Sequence, residues 1–182
     1  MGKEKDIETT TAFYGQLFYG SKYVLLVLLI ASVVELYAMP SLDASYVTII
    51  ILVLTLIKIG FIIALSFNQL MKIIAQSHLL SHVLVLFGYL IVLVIFSFAI
   101  DFTALQFLDP THFKVNNGIG NNGLSVFFDL SYFSLITFSS VGFGDIVPIT
   151  VPAKILVTLE VLLRFFVLVF GIANVNRIRV NK

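Results

Sequence analysis

Four apolar stretches constrain this chain more than anything else in it: Tyr23–Met39, Tyr46–Phe67, Val83–Ile100 and Pro152–Val175. Each falls in the range of about 17–25 residues that carries a helix across the hydrocarbon core of a bilayer. Lipid offers no partner for open backbone groups, so each stretch is predicted to be helical. Of the 182 residues 59% are apolar and only 12% charged, about half the charged share of a soluble domain. That composition argues against a water-soluble enzyme and against disorder. A formal charge of +1 gives no footing for nucleic-acid binding. With no cysteine, neither a disulfide nor a Cys-ligated metal site can form. The expectation is an all-α membrane protein with four transmembrane helices.

The first stretch is too long for a cleaved signal peptide, and no small-residue cleavage pattern follows it. Pro40 is placed to end the first helix, and Pro152 suits the first turn of the fourth, with Thr150 as its cap. Placing both termini inside puts Lys3, Lys5, Lys22, Lys72, Arg177, Arg179 and Lys182 on the inner face. Only Lys114 and Lys154 then lie outside, which obeys the positive-inside bias. Asp43, Asp101, Asp109 and Asp145 are expected on the outer surface. A single domain is predicted, in four parts: a cytoplasmic interfacial segment (1–21), three transmembrane helices with an inner connector at 68–82 (22–100), an outer loop with a short helix and a polar strip (101–148), and an inner helix with a short tail (149–182). Thr9–Tyr19 reads as a helix lying on the inner leaflet. His78 and His82, four apart in the connector, read as solvated, since a metal needs a third ligand.

The segment between the third and fourth stretches carries the chemistry. Asp101–Gly123 contains two Asn-Asn-Gly turns and is predicted to be an exposed loop. Leu124–Phe138 is apolar and aromatic but too short to span, so a re-entrant helix is expected. SSVGFGDIVP follows at once, Ser139–Pro148. Non-helical backbone survives at membrane depth only when buried in protein or lining a water-filled path. Val141-Gly142-Phe143-Gly144 puts glycine at every second position, and glycine tolerates positive φ. A strip alternating in this way can turn successive carbonyls to one side. Four strips about an axis then make rings of oxygen that replace the hydration shell of a monovalent cation.

LSYFSLITFSSVGFGDIVP resembles the pore helix and selectivity filter of tetrameric potassium channels, whose usual filter reads TVGYGD. The resemblance covers about 127–177 and leaves the first two stretches without a counterpart. It implies ion coordination by the carbonyls of Ser140, Val141, Gly142 and Phe143, the Ser140 hydroxyl as innermost ligand, and Gly144 shaping the outer mouth. Thr137, Tyr132, Phe133 and Asp145 become the expected filter support, with Asp145 held through Tyr132. Ser140 stands for the usual Thr and Phe143 for the usual Tyr. The second change removes a tethering hydroxyl, so packing of Phe133 on Phe143 is expected to brace the filter instead. GFG filters occur in voltage-gated relatives of the ether-à-go-go type, which keeps potassium as the expected ion.

Ionisable groups at depth are costly and mark function or pairing. Glu160 and Arg164 are four apart on one helix in the favourable order, which predicts a local salt bridge. Arg164 also falls where related chains carry a hinge glycine, leaving Gly171 as the nearest substitute. A guanidinium facing a cation path repels the ion, so Arg164 is expected to point away from the axis or to be neutralised by Glu160. Lys58 has two readings, reaching Glu160 across helices or snorkelling inward. Glu35 is expected among headgroups. No stretch carries the repeated Arg or Lys of a voltage sensor. The resemblance further implies a homotetramer in the plasma membrane, potassium as permeant ion, no other cofactor, no enzymatic activity, and anionic lipid beside Arg177, Arg179 and Lys182. No ligand-binding domain is seen after Lys182, so a separate regulatory subunit or domain is left open.

Overall fold

The computed structural model describes residues 15, 19, 21–35, 43–76, 80–115, 118–120 and 122–180, with the side chains of all but 70–76, 80–83 and 172–180. The reading of Thr9–Tyr19 lies outside these residues apart from positions 15 and 19. So do Lys3, Lys5, Pro40, His78, Asn116, Asn117, Asn121 and Lys182, and the side chains of Lys72, His82, Arg177 and Arg179.

The described residues include five long helices: α1 (Ser21–Val33), α2 (Ala44–Gln76), α3 (Leu80–Leu108), α4 (Gly123–Phe138) and α5 (Val151–Val180). Two of them, over Ala44–Gln69 and Leu84–Leu108, are long and apolar enough to cross a membrane. The α2 helix shows why. Val47, Ile51, Thr55, Lys58, Ile62, Ser66 and Gln69 are buried at spacings of three and four, one stripe of the helix. Tyr46, Ile49, Val53, Leu56, Ile57 and Phe61 are exposed on the rest. The polar groups sit inside and the large apolar groups outside, the arrangement lipid selects. Two α2 hydroxyls fold back on the preceding turn, Thr48 to the Ala44 carbonyl at 2.8 Å and Ser66 to the Ile62 carbonyl at 2.8 Å, which pairs each within its own helix.

The α5 helix is 30 residues long and carries Lys154, Glu160 and Arg164 in its first half. It nonetheless runs the whole depth of α3, in the opposite direction. Thr150 just before α5 meets His112 just after α3. The Ser134 hydroxyl, between them, lies 2.9 Å from the Ile95 carbonyl and 2.6 Å from Glu160 Oε1. Gly171 lies against Phe87, so closely that a Cβ there requires the ring to move. Gly171, expected as a hinge, is thus a packing residue within a continuous helix.

Asp101–Gly123 is not an exposed loop throughout. The α3 helix continues through Asp101 to Leu108. A 3-10 turn follows at Pro110–His112, and then strand β1 (Phe113–Val115). Strand β1 pairs antiparallel with β2 (Ile146–Pro148), Lys114 opposite Val147, and the Ile149 amide donates to the His112 carbonyl at 2.9 Å. The boundary predicted at residue 100 therefore cuts through a helix. Phe102, Phe113 and Phe133 pack mutually edge to face, with ring centroids 5.1–5.6 Å apart, and fasten β1 and α4 to the end of α3.

Candidate functional site

The α4 helix begins beside α3's end, where Gly123 lies near Phe107. Asn122 caps it, its Oδ1 accepting from the Ser125 amide at 2.8 Å. The helix descends until Ser134 is level with Ile95, about midway along α3, and the chain then returns to β2 beside β1. It is re-entrant, over Gly123–Phe138, within one residue of the predicted range.

Its far end is closed mainly by backbone, with the Ser139 hydroxyl adding a bond to the Ile136 carbonyl at 3.3 Å. The Ser139 amide donates to Leu135, Ser140 to Thr137 and Val141 to Ile136, at 2.9, 3.0 and 3.0 Å. The last two bonds with a left-handed residue between form a Schellman cap. Ser140 has φ 57, Gly142 φ 55 and Gly144 φ 77. Left-handed backbone thus alternates from residue 140 to 144, one step further in than the glycines alone indicate. An L-residue there costs about 1–2 kcal/mol, and a β-branched one is a true outlier. That is a physical reason for Ser at 140 where related filters carry Thr.

The strip is exposed from 139 to 144, with Phe143 70% exposed. The expected Phe133–Phe143 packing is absent: Phe133 is buried and spends its ring on Phe102 and Phe113. Support comes from the other side. The Tyr132 hydroxyl interacts with the Asp145 carboxylate, whose Oδ1 also accepts from the Ile146 amide at 3.1 Å. Thr137 acts through its carbonyl, the acceptor for Ser140. The β1–β2 pairing then holds the strip's outgoing end. His112 is buried there with Nδ1 against the Thr150 hydroxyl, so Thr150 serves as its partner. Burial pulls the His112 pKa below the usual histidine value, with Asp109 opposing. Asp109 is itself held low by accepting from the Thr111 amide, at 2.8 Å.

The buried charges pair differently from expectation. Lys58 does not reach Glu160. It lies 2.9 Å from Glu35 and also bonds Asp101, whose other oxygen accepts from Thr55 at 3.0 Å. Glu35 is 4% exposed, a core group of the bundle instead of a headgroup contact, and Asp101 is fully buried instead of lying on the outer surface. Asp101 was missed because a charge at the end of an apolar run reads as the helix end. Its signal was the apolar run resuming at Phe102–Leu108. Glu160 and Arg164 form no salt bridge. Glu160 turns to Ser134, its Oε2 without a partner among the described residues, and Arg164 donates to the Ser140 hydroxyl. Arg164 therefore points toward the strip.

An apolar bundle that carries a re-entrant helix and a left-handed-alternating strip at mid-depth defines a pore-loop membrane protein. A family model described as an ion channel matches residues 84–180, more than half of the chain and all of α3, α4 and α5 but the first residues of α3. The chain belongs to this ion channel family. Its α1 and α2 helices precede the matched region. No curated protein and no solved structure matches the chain.

Proposed function

We propose that the protein is a potassium-selective channel, conducting passively as a homotetramer, and that it has no enzymatic role. One re-entrant strip supplies a quarter of a ring, so four copies close it. The carbonyls of Ser140, Val141, Gly142 and Phe143 replace the hydration shell of the ion, with the Ser140 hydroxyl innermost and Gly144 at the outer mouth. The observation that carries this reading is the alternation of left-handed backbone at Ser140, Gly142 and Gly144 immediately after a re-entrant helix. A second observation supports assembly. Leu124, Phe128 and Leu135 of α4 are exposed together with Val141, Phe143, Leu162 and Phe165. These apolar groups belong to the strip and to the helices on either side of it in sequence, and neighbouring copies are what would cover them. The basic residues favour both termini inside, and the membrane proposed is the plasma membrane.

Purified protein in liposomes is expected to pass potassium, to exclude sodium, and to be blocked by a quaternary ammonium ion. Absence of any flux would leave a non-conducting scaffold or regulatory subunit. One observation favours a second reading, a weakly selective monovalent cation channel: Phe143 finds no ring partner among the described residues of its own chain. Equal potassium and sodium fluxes would establish it.

A further inference from the structure

Arg164 is the one described charge at the strip that the conduction path does not explain. Its guanidinium donates to the Ser140 hydroxyl, the group read above as the innermost ion ligand. Glu160, one turn away, is engaged with Ser134. Glu35 and Asp101 are both held by Lys58. Among the described residues, then, the guanidinium faces a neutral hydroxyl and is paired with no carboxylate. A guanidinium is a cation with donors only and no acceptor.

We propose that Arg164 is a resident cation at the inner end of the ion path, setting conductance and internal block by competing with the permeant ion for Ser140. The inference rests on the reading of residues 140–144 as the ion path of a homotetramer. Four copies place four fixed positive charges about the axis, just below the innermost ligand ring. A cation arriving from the inner side meets their combined repulsion before it reaches the strip. A cation arriving from outside traverses the strip first, so the barrier is asymmetric and outward current is smaller than inward. The same contact holds Ser140 in a left-handed conformation that serine adopts only at a cost.

The test is single-channel recording in planar bilayers with symmetric potassium. Arg164→Gln is expected to raise outward conductance severalfold and to tighten internal tetraethylammonium block by about tenfold. Arg164→Lys keeps the charge and is expected to stay close to wild type in both. Wild-type conductance and block in Arg164→Gln overturn the inference while leaving the ion path intact, as does an Arg164→Lys variant that behaves like the Gln variant. Should Arg164→Gln fail to assemble, the wild-type channel answers: a ring of fixed charge predicts that internal block tightens as impermeant salt is raised, and block independent of ionic strength overturns it. No ion flux from any form overturns the reading of the path together with this inference.

Discussion

Lys58 shows how a single side chain is made tolerable at membrane depth. It is surrounded by two carboxylates from different parts of the chain, Glu35 two residues past α1 and Asp101 from α3, with Thr55 completing the set. Removing one member of such a group leaves uncompensated charge and costs about 3–5 kcal/mol, whereas neutralising all of it is often harmless. Lys58→Met is therefore expected to lower thermal stability in detergent markedly. The triple variant Glu35→Gln, Lys58→Met, Asp101→Asn is expected to recover most of the loss, and an unchanged melting temperature for Lys58→Met would contradict the pairing. At this scale the sequence announced that Lys58, Glu160 and Arg164 are unusual but not whom they meet. Partners across helices depend on rotation and depth, which neither the run of apolar residues nor the i, i+4 spacing specifies. Ser140 was visible as a substitution for Thr, but the backbone angle that accounts for it was not.

Two elements carry the support of the strip, the β1–β2 pair and the long α5 helix. His112 sits at the junction of the first with α5, buried and against Thr150. Its pKa lies below the usual histidine value near 6.5 because burial disfavours the charged ring. A group depressed on folding gives stability that is complete above its unfolded pKa and is lost as pH falls through the folded one. Melting temperature is therefore expected to fall as pH drops below about 6.5, and His112→Gln is expected to flatten that dependence. The α5 helix is fitted to α3 at Gly171, where any Cβ meets the Phe87 ring. Gly171→Val is expected to destabilise by about 1–3 kcal/mol through overpacking, with Phe87→Ala in the same chain restoring part of it, measured by thermal unfolding in detergent. A glycine acting only as a hinge predicts altered gating without that rescue. The elements themselves were unequally legible. The re-entrant helix was found within one residue because glycine and asparagine bound its apolar run on one side and the Ser-Ser step on the other. The three-residue strands were not found, since FKV and IVP are too short for alternation to register.

The whole molecule reads as a pore unit, α3 to α5, with α1 and α2 attached through Lys58 and through Phe67. Phe67 on α2 packs on Phe166 and Phe170 of α5 with ring centroids 5.8 and 5.1 Å apart. The matched family region covers the pore unit and not the attachment. The α2 helix thus touches both the buried charge cluster and α5. On the proposed function, the apolar groups exposed on α4 and the strip are covered by neighbouring copies. The proposed function requires four strips to meet about an axis and to dehydrate potassium in preference to sodium. Its most direct test is the reversal potential under bi-ionic conditions, potassium on one side of a planar bilayer and sodium on the other. The account predicts a large displacement from zero in the direction of potassium selectivity, whereas a reversal potential at zero would contradict it.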